Sequence, residues 1–107
     1  MEAKLKEEIN GYIANNDIVV FSKSYCPYCN QAKTFLNGQG VEDKVFVVEL
    51  DRLDDGSAIQ RYLLELTKQR TVPNIFISQQ HIGGCSDLLG LDKAKLTVLL
   101  DKIKGKI

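Results

Sequence analysis

Ile18-Val19-Val20-Phe21-Ser22-Lys23-Ser24-Tyr25-Cys26-Pro27-Tyr28-Cys29 is the stretch on which the fold turns. Its first four residues form a continuous apolar run rich in β-branched side chains, which reads as a strand buried on both faces and ending near Ser22. Beyond Cys29, Ala32, Phe35 and Leu36 keep helical spacing until Gly38 and Gly40 offer an exit. A C-x-x-C between a buried strand and a helix is the setting in which that spacing points to thiol–disulfide exchange. With Cys26 as the helix N-cap, Pro27 takes the first helical position, where its missing N–H costs nothing. The Cys26 sulfur then faces the free N–H groups of Tyr28 and Cys29 and the positive end of the helix dipole, with Lys23 as a cationic neighbour. Such surroundings hold a thiol ionised below its free value of about 8.5. Cys29, one turn inside the helix, is expected to be less exposed and less acidic. The spacing therefore predicts that Cys26 attacks an external disulfide and that Cys29 resolves the mixed disulfide, leaving a 26–29 bridge.

Upstream of this stretch, Leu5, Ile9, Tyr12 and Ile13 recur as the apolar stripe of an amphipathic helix over residues 4–15. Downstream, Val45–Leu50 reads as a second buried strand, Asp54-Asp55-Gly56 as a turn, and Ile59, Tyr62, Leu63 and Leu66 as the core face of another helix. Ile75-Phe76-Ile77 and His81-Ile82 read as two strands joined by a hairpin through Ser78–Gln80. A short helical turn is expected at Cys85–Asp87, and Asp92 caps a last helix whose core face is Leu96, Leu99, Leu100 and Ile103. Strands separated by helices imply parallel crossovers, whereas the last two strands are too close for one and pair antiparallel. The reading is an α/β fold with a four-stranded mixed sheet flanked by helices, one domain over residues 1–107. Lys102, Lys104 and Lys106 read as a solvated helix end.

Composition narrows the function classes. Fourteen Lys+Arg balance fourteen Asp+Glu, so total charge gives no reason to expect nucleic acid or an anionic membrane as partner. No apolar run approaches the roughly 20 residues of a membrane helix, and the charged first residues do not read as a secretory signal. Three cysteines make a poor disulfide framework, so a reducing compartment, the cytosol, is expected. Structural zinc normally takes four Cys or His ligands, and beyond the pair the chain offers one Cys and one His.

K-S-Y-C-P-Y-C at 23–29, T-V-P-N at 71–74 and G-G-C-S-D-L at 83–88 together resemble the dithiol glutaredoxins, over nearly the whole chain. The resemblance implies a thioredoxin-like fold and an oxidoreductase that uses glutathione as co-substrate. Its substrates would be glutathionylated proteins, low-molecular-weight disulfides and some protein disulfides. It casts Cys26 as the nucleophile and Cys29 as the resolving thiol. It makes Val72 the residue whose backbone pairs with the glutathione cysteine, and Pro73 a cis proline. Gly84, Cys85 and Ser86 or Asp87 would receive the γ-glutamyl end, Asp87 answering its ammonium group; locally, Ser86 or Asp87 also reads as a cap of the short helix. Lys23 and Gln60 match positions that hold the glycine carboxylate, although Ser57-Ala58-Ile59-Gln60 also fits a capping box. Arg70 would be a neighbouring cation, and Tyr28 would flank the bound tripeptide. Tyr12 and Tyr62 read as core or half-buried, and His81 lies too far along the hairpin to be assumed a base.

Two features depart from the family pattern. Ser78-Gln79-Gln80 stands where a glycine-containing turn is common, which argues against the tight turn that Asn-Gly would make. Cys85 adds a third thiol near the expected groove, read as packing, a glutathionylation site or an oxidation liability. Pro27 resembles the redox-active subgroup more than the one that holds a [2Fe–2S] cluster between two protomers, so no metal is expected. A thioredoxin-type reductase is the nearest enzymatic rival. The partners implied are glutathione and glutathionylated or disulfide-containing proteins, with the chain a monomer.

Overall fold

A computed structural model describes residues 2–105; Lys106 of the basic tail lies outside them. Helix α1 (Glu2–Asn15) leads into strand β1 (Ile18–Ser22), then α2 (Pro27–Gly38), β2 (Val45–Glu49), α3 (Gly56–Thr67), β3 (Asn74–Ile77), β4 (Gln80–Gly83), α4 (Cys85–Leu89) and α5 (Lys93–Ile103). Short 3-10 turns precede and follow β2, at Glu42–Lys44 and Leu50–Arg52. The sheet order is β2-β1-β3-β4, so the decisive apolar run is an inner strand.

All five residues of β1 are buried, and alternation along the strand sends its side chains into two cores. Ile18 and Val20 join Ala32, Leu36, Ile75, Leu88 and Leu99 on one face, under α2, α4 and α5. Val19 and Phe21 join Ile9, Ile59, Leu63 and Phe76 on the other, under α1 and α3. The site loop leaves β1 from between these cores.

Strand β2 runs parallel to β1, from Ile18 opposite Val45 to Ser22 opposite Glu49. It is an edge strand: Phe46 and Val47 are each 37 % exposed, which corrects the expectation of a second strand buried on both faces. The ring of Tyr12 covers one side of Phe46, at 5.1 Å between centroids.

The mixed sheet is as expected, but its topology is not a succession of parallel crossovers. Strand β3 is antiparallel to β1, with Phe21 opposite Asn74 and Ile18 opposite Ile77. Because Phe21 also lies opposite Val48, α3 and the segment after it return the chain to the end of the sheet where β2 finished. The strand that follows must therefore run back. Leu66, expected on the core face of α3, is 45 % exposed.

The β3–β4 hairpin closes through two residues, Ser78 and Gln79, with φ of 51° and 66°. Positive φ at both central positions is the tight primed turn that the absence of glycine argued against. Tertiary bonds hold it: Ser78 N–H donates to Asp17 O at 2.8 Å, and the Gln79 amide reaches Ala14 O at 3.5 Å.

Candidate active site

Cys26 is the N-cap of α2, with extended backbone (φ −85°, ψ 118°) and Pro27 following at the start of the helix. Cys29 N–H donates to the Cys26 sulfur at 3.3 Å, and Cys26 O accepts from Asn30 N–H at 3.1 Å. The preceding loop is tied down twice. Cys26 N–H donates to Lys23 O at 3.0 Å, and Asp51 accepts from Ser24 through both its N–H, at 2.9 Å, and its hydroxyl. Those two Ser24 bonds hold the Asp51 carboxyl below the usual carboxylate range.

The two thiols of the C-x-x-C are free and differ in setting. Burial pushes Cys26 up, but hydrogen bonds from the Cys29 thiol and from the N–H groups of Cys29 and Tyr28, together with the charge of Lys33, bring its pKa below that of an ordinary thiol. Burial raises Cys29, whose side chain is fully enclosed, and the hydrogen bond to Cys26 adds to the rise. Lys33, which the sequence did not single out, supplies positive charge to Cys26. It lies four residues beyond Cys29 on α2, and its ammonium pairs with Glu49 at 2.7 Å. Glu49 also accepts from the buried Ser22 hydroxyl at 2.7 Å, so β1, β2 and α2 are bound together directly behind the dithiol.

Across from Cys26, the Val72–Pro73 peptide is cis, and Val72 O lies 4.0 Å from the Cys26 sulfur. A groove of about 600 Å³ opens beside this contact. Tyr28 and Gln31 of α2 form one wall, the segment bearing Gln69, Thr71, Val72 and Pro73 another, and Gly84 with Cys85, Ser86, Asp87 and Leu89 the third. Tyr28 is 65 % exposed, with its ring free to cover a ligand. Asp87 Oδ2 accepts from Gly84 N–H at 2.8 Å, so this carboxylate caps α4 while it borders the groove. Gly83, at φ 121°, lets the Asp87 side chain pass where a Cβ would collide with it. Cys85 is buried, and burial followed by the nearby Cys26 charge raises its pKa.

The groove gathers Tyr28, Val72, Pro73, Gly84, Cys85, Ser86 and Asp87 from three separate parts of the chain. Lys23 and Gln60 are not among its walls. Gln60 donates to Arg70 O at 2.9 Å, bracing the segment before Val72, and it caps nothing: α3 begins at Gly56 with Asp55 at the N-cap, which puts Ser57 inside the helix. His81 lies off the groove, Nε2 at 3.0 Å from Asn74 Oδ1. Sequence reasoning did not single out Gln31, Gln69, Thr71, Leu89, Lys33, Glu49 or Asp51. Helical spacing from Tyr28 and Cys29 reaches Gln31 and Lys33, and Gln69 lies just before T-V-P-N, two residues from its partner Thr71; nothing local marks Asp51, whose partner Ser24 is set by the fold.

The glutaredoxin family model matches residues 18–82. Glutaredoxin-1 of Rhizophagus irregularis is 49 % identical over 87 residues, covering 81 % of this chain and 84 % of that protein. The crystal structure of wheat glutaredoxin superposes with a TM-score of 0.88 at 42 % identity, covering 95 % of this chain and 97 % of that one. A buckwheat glutaredoxin–glutathione complex is similar at TM-score 0.78 and 36 % identity, over 98 % of this chain and 84 % of that one.

Proposed function

The chain belongs to the glutaredoxin family of oxidoreductases, and from that premise we propose that it reduces glutathionylated proteins, low-molecular-weight disulfides and some protein disulfides with glutathione as co-substrate. The observation that carries this reading is the placement of one half-buried sulfur. Cys26 receives the Cys29 N–H at 3.3 Å on one side and faces the Val72 carbonyl at 4.0 Å on the other, beside a groove sized for a small peptide. The buckwheat relative, solved with glutathione, supports the choice of tripeptide.

In the first step the Cys26 thiolate attacks the glutathionyl sulfur of a mixed disulfide. A Cys26–glutathione S–S bond forms as the substrate S–S bond breaks, and the protein thiolate departs. A second glutathione, as thiolate, attacks the glutathionyl sulfur on Cys26; glutathione disulfide leaves and the Cys26 thiolate returns. With a protein disulfide, Cys26 first forms a mixed disulfide with the substrate. Cys29, once deprotonated, attacks the Cys26 sulfur, expels the second substrate thiolate and leaves a 26–29 disulfide for two glutathiones to reduce. The helix N-terminus favours Cys26 both as attacking thiolate and as leaving group, because each state carries charge on the same sulfur.

The testing experiment is turnover of a glutathionylated peptide with glutathione, glutathione reductase and NADPH, compared with a thioredoxin reductase system. Wild type is expected to turn over with glutathione alone. Cys26→Ser is expected to be inactive, and turnover retained in it would contradict the assignment. Preference for the thioredoxin reductase system would assign the chain a different electron source.

A further inference from the structure

Gln69 borders the groove, yet it carries no charge, thiol or ring, and its amide is engaged within the protein. Its Nε2 donates to Thr71 O at 3.0 Å and to Pro73 O at 2.9 Å. A primary amide has two N–H hydrogens, so these bonds use its full donor capacity. The residue is itself fixed: Gln69 N–H donates to Thr67 Oγ1 at 3.1 Å, and the same oxygen accepts from the Asn74 amide at 3.3 Å. Asn74 is 1 % exposed in β3, opposite Phe21, so Gln69 is anchored to the end of α3 and to the start of an inner strand.

The two carbonyls that Gln69 holds are those flanking Val72. They are drawn toward the Gln69 amide, while Val72 O faces the Cys26 sulfur. Among the described residues no protein group accepts from Val72 N–H. Thr71 and Pro73 thus have their carbonyls satisfied as a neighbouring strand would satisfy them, and the polar backbone of Val72 is left for a ligand. No side-chain substitution at Val72 removes those backbone groups, so the handle on them lies at position 69.

We propose that Gln69 is a positioning residue for the exchange reaction: by clamping the Thr71 and Pro73 carbonyls, its amide sets the Val72 backbone edge at the orientation in which it pairs with the cysteine of an incoming glutathionyl group. The proposal rests on the glutathione-dependent function above, and Gln69 acts through Val72 without touching the reacting sulfurs.

Gln69→Met keeps the length of the side chain without a donor. Gln69→Glu keeps its shape but sets a carboxylate against two carbonyl oxygens. For both, kcat/KM with a glutathionylated peptide is expected to fall about tenfold or more, as the loss of two ordinary hydrogen bonds implies, with the Glu variant lower. The loss falls in KM, because edge pairing holds ground state and transition state alike. Alkylation of Cys26 by iodoacetamide, which needs the thiolate but not the Val72 edge, stays at the wild-type rate. Thermal unfolding of each variant confirms that it is folded. Variants that turn over like wild type would overturn the assignment, as would a fall in Cys26 alkylation that matches the fall in exchange. A wild type that itself fails to turn over the peptide would remove this assignment together with the functional reading beneath it.

Discussion

Cys26 and Cys29 share one helical turn and are driven in opposite directions, because one sulfur sits at the open N-terminus of α2 and the other is enclosed beneath it. Burial raises both thiols, but only Cys26 collects enough hydrogen bonds and positive charge to finish below the ordinary value. Lys33→Gln, which removes that charge, is expected to raise the Cys26 pKa and slow its alkylation at neutral pH; an unchanged profile would assign the acidity to the helix end alone. Cys29→Ser is expected to keep deglutathionylation and lose most reduction of protein disulfides, read as peptide turnover against reduction of a disulfide-linked protein. At this scale the sequence was clear about where Cys26, Pro27 and Cys29 stand, at the N-cap, the first helical position and one turn inside α2. It did not single out Lys33, whose charge bears on Cys26 from one turn beyond Cys29, where its ammonium pairs with Glu49 of β2. It was silent on Asp51, which acts on Ser24 only through tertiary contact, and on Gln69, whose reach to the Thr71 and Pro73 carbonyls depends on how the chain turns at the cis proline.

Helices and strands were located by periodicity, while their ends were decided by contacts. Asp92 caps α5 as its sequence position suggests, accepting from Lys95 N–H at 3.2 Å. Asp92→Ala is accordingly expected to cost about 1 kcal/mol in denaturant unfolding. The S-x-x-Q at 57–60 fits a capping box equally well but forms none, because Gly56 already belongs to α3. That glycine is forced by packing: a Cβ there would collide with the Leu50 carbonyl, so the start of α3 lies against the turn after β2. Gly56→Ala is expected to destabilise toward the upper end of roughly 1–3 kcal/mol, measured by urea unfolding; a loss below that range would mean that the two segments part easily. The hairpin at Ser78-Gln79 shows the converse. Local chemistry argued against its turn, and bonds to Asp17 and Ala14 hold it in place.

Over the whole molecule, one buried strand separating two apolar cores was legible from four residues, since a continuous β-branched run has no exposed face. Ile75→Ala, which opens a cavity in a fully buried position beside β1, is expected to cost about 2–5 kcal/mol. The direction of β3 and the edge position of β2 were not legible, because pairing order depends on where α3 delivers the chain. The two thiols also give the reaction a pH signature. Cys26 ionises at lower pH than an ordinary thiol, so glutathionyl transfer should level off at lower pH than ordinary thiol exchange, whereas Cys29, raised chiefly by burial, should make resolution rise further into the alkaline range. For stability the sign at Cys26 is that of a depressed acid: its contribution is present above the unfolded thiol pKa and is lost as pH falls through the folded value. The most direct test of the account is iodoacetamide alkylation of Cys26 in the reduced protein as a function of pH, resolved from Cys29 and Cys85 by mass spectrometry. A midpoint below the ordinary thiol value of about 8.5 is the expected result; a midpoint at or above it would contradict the account.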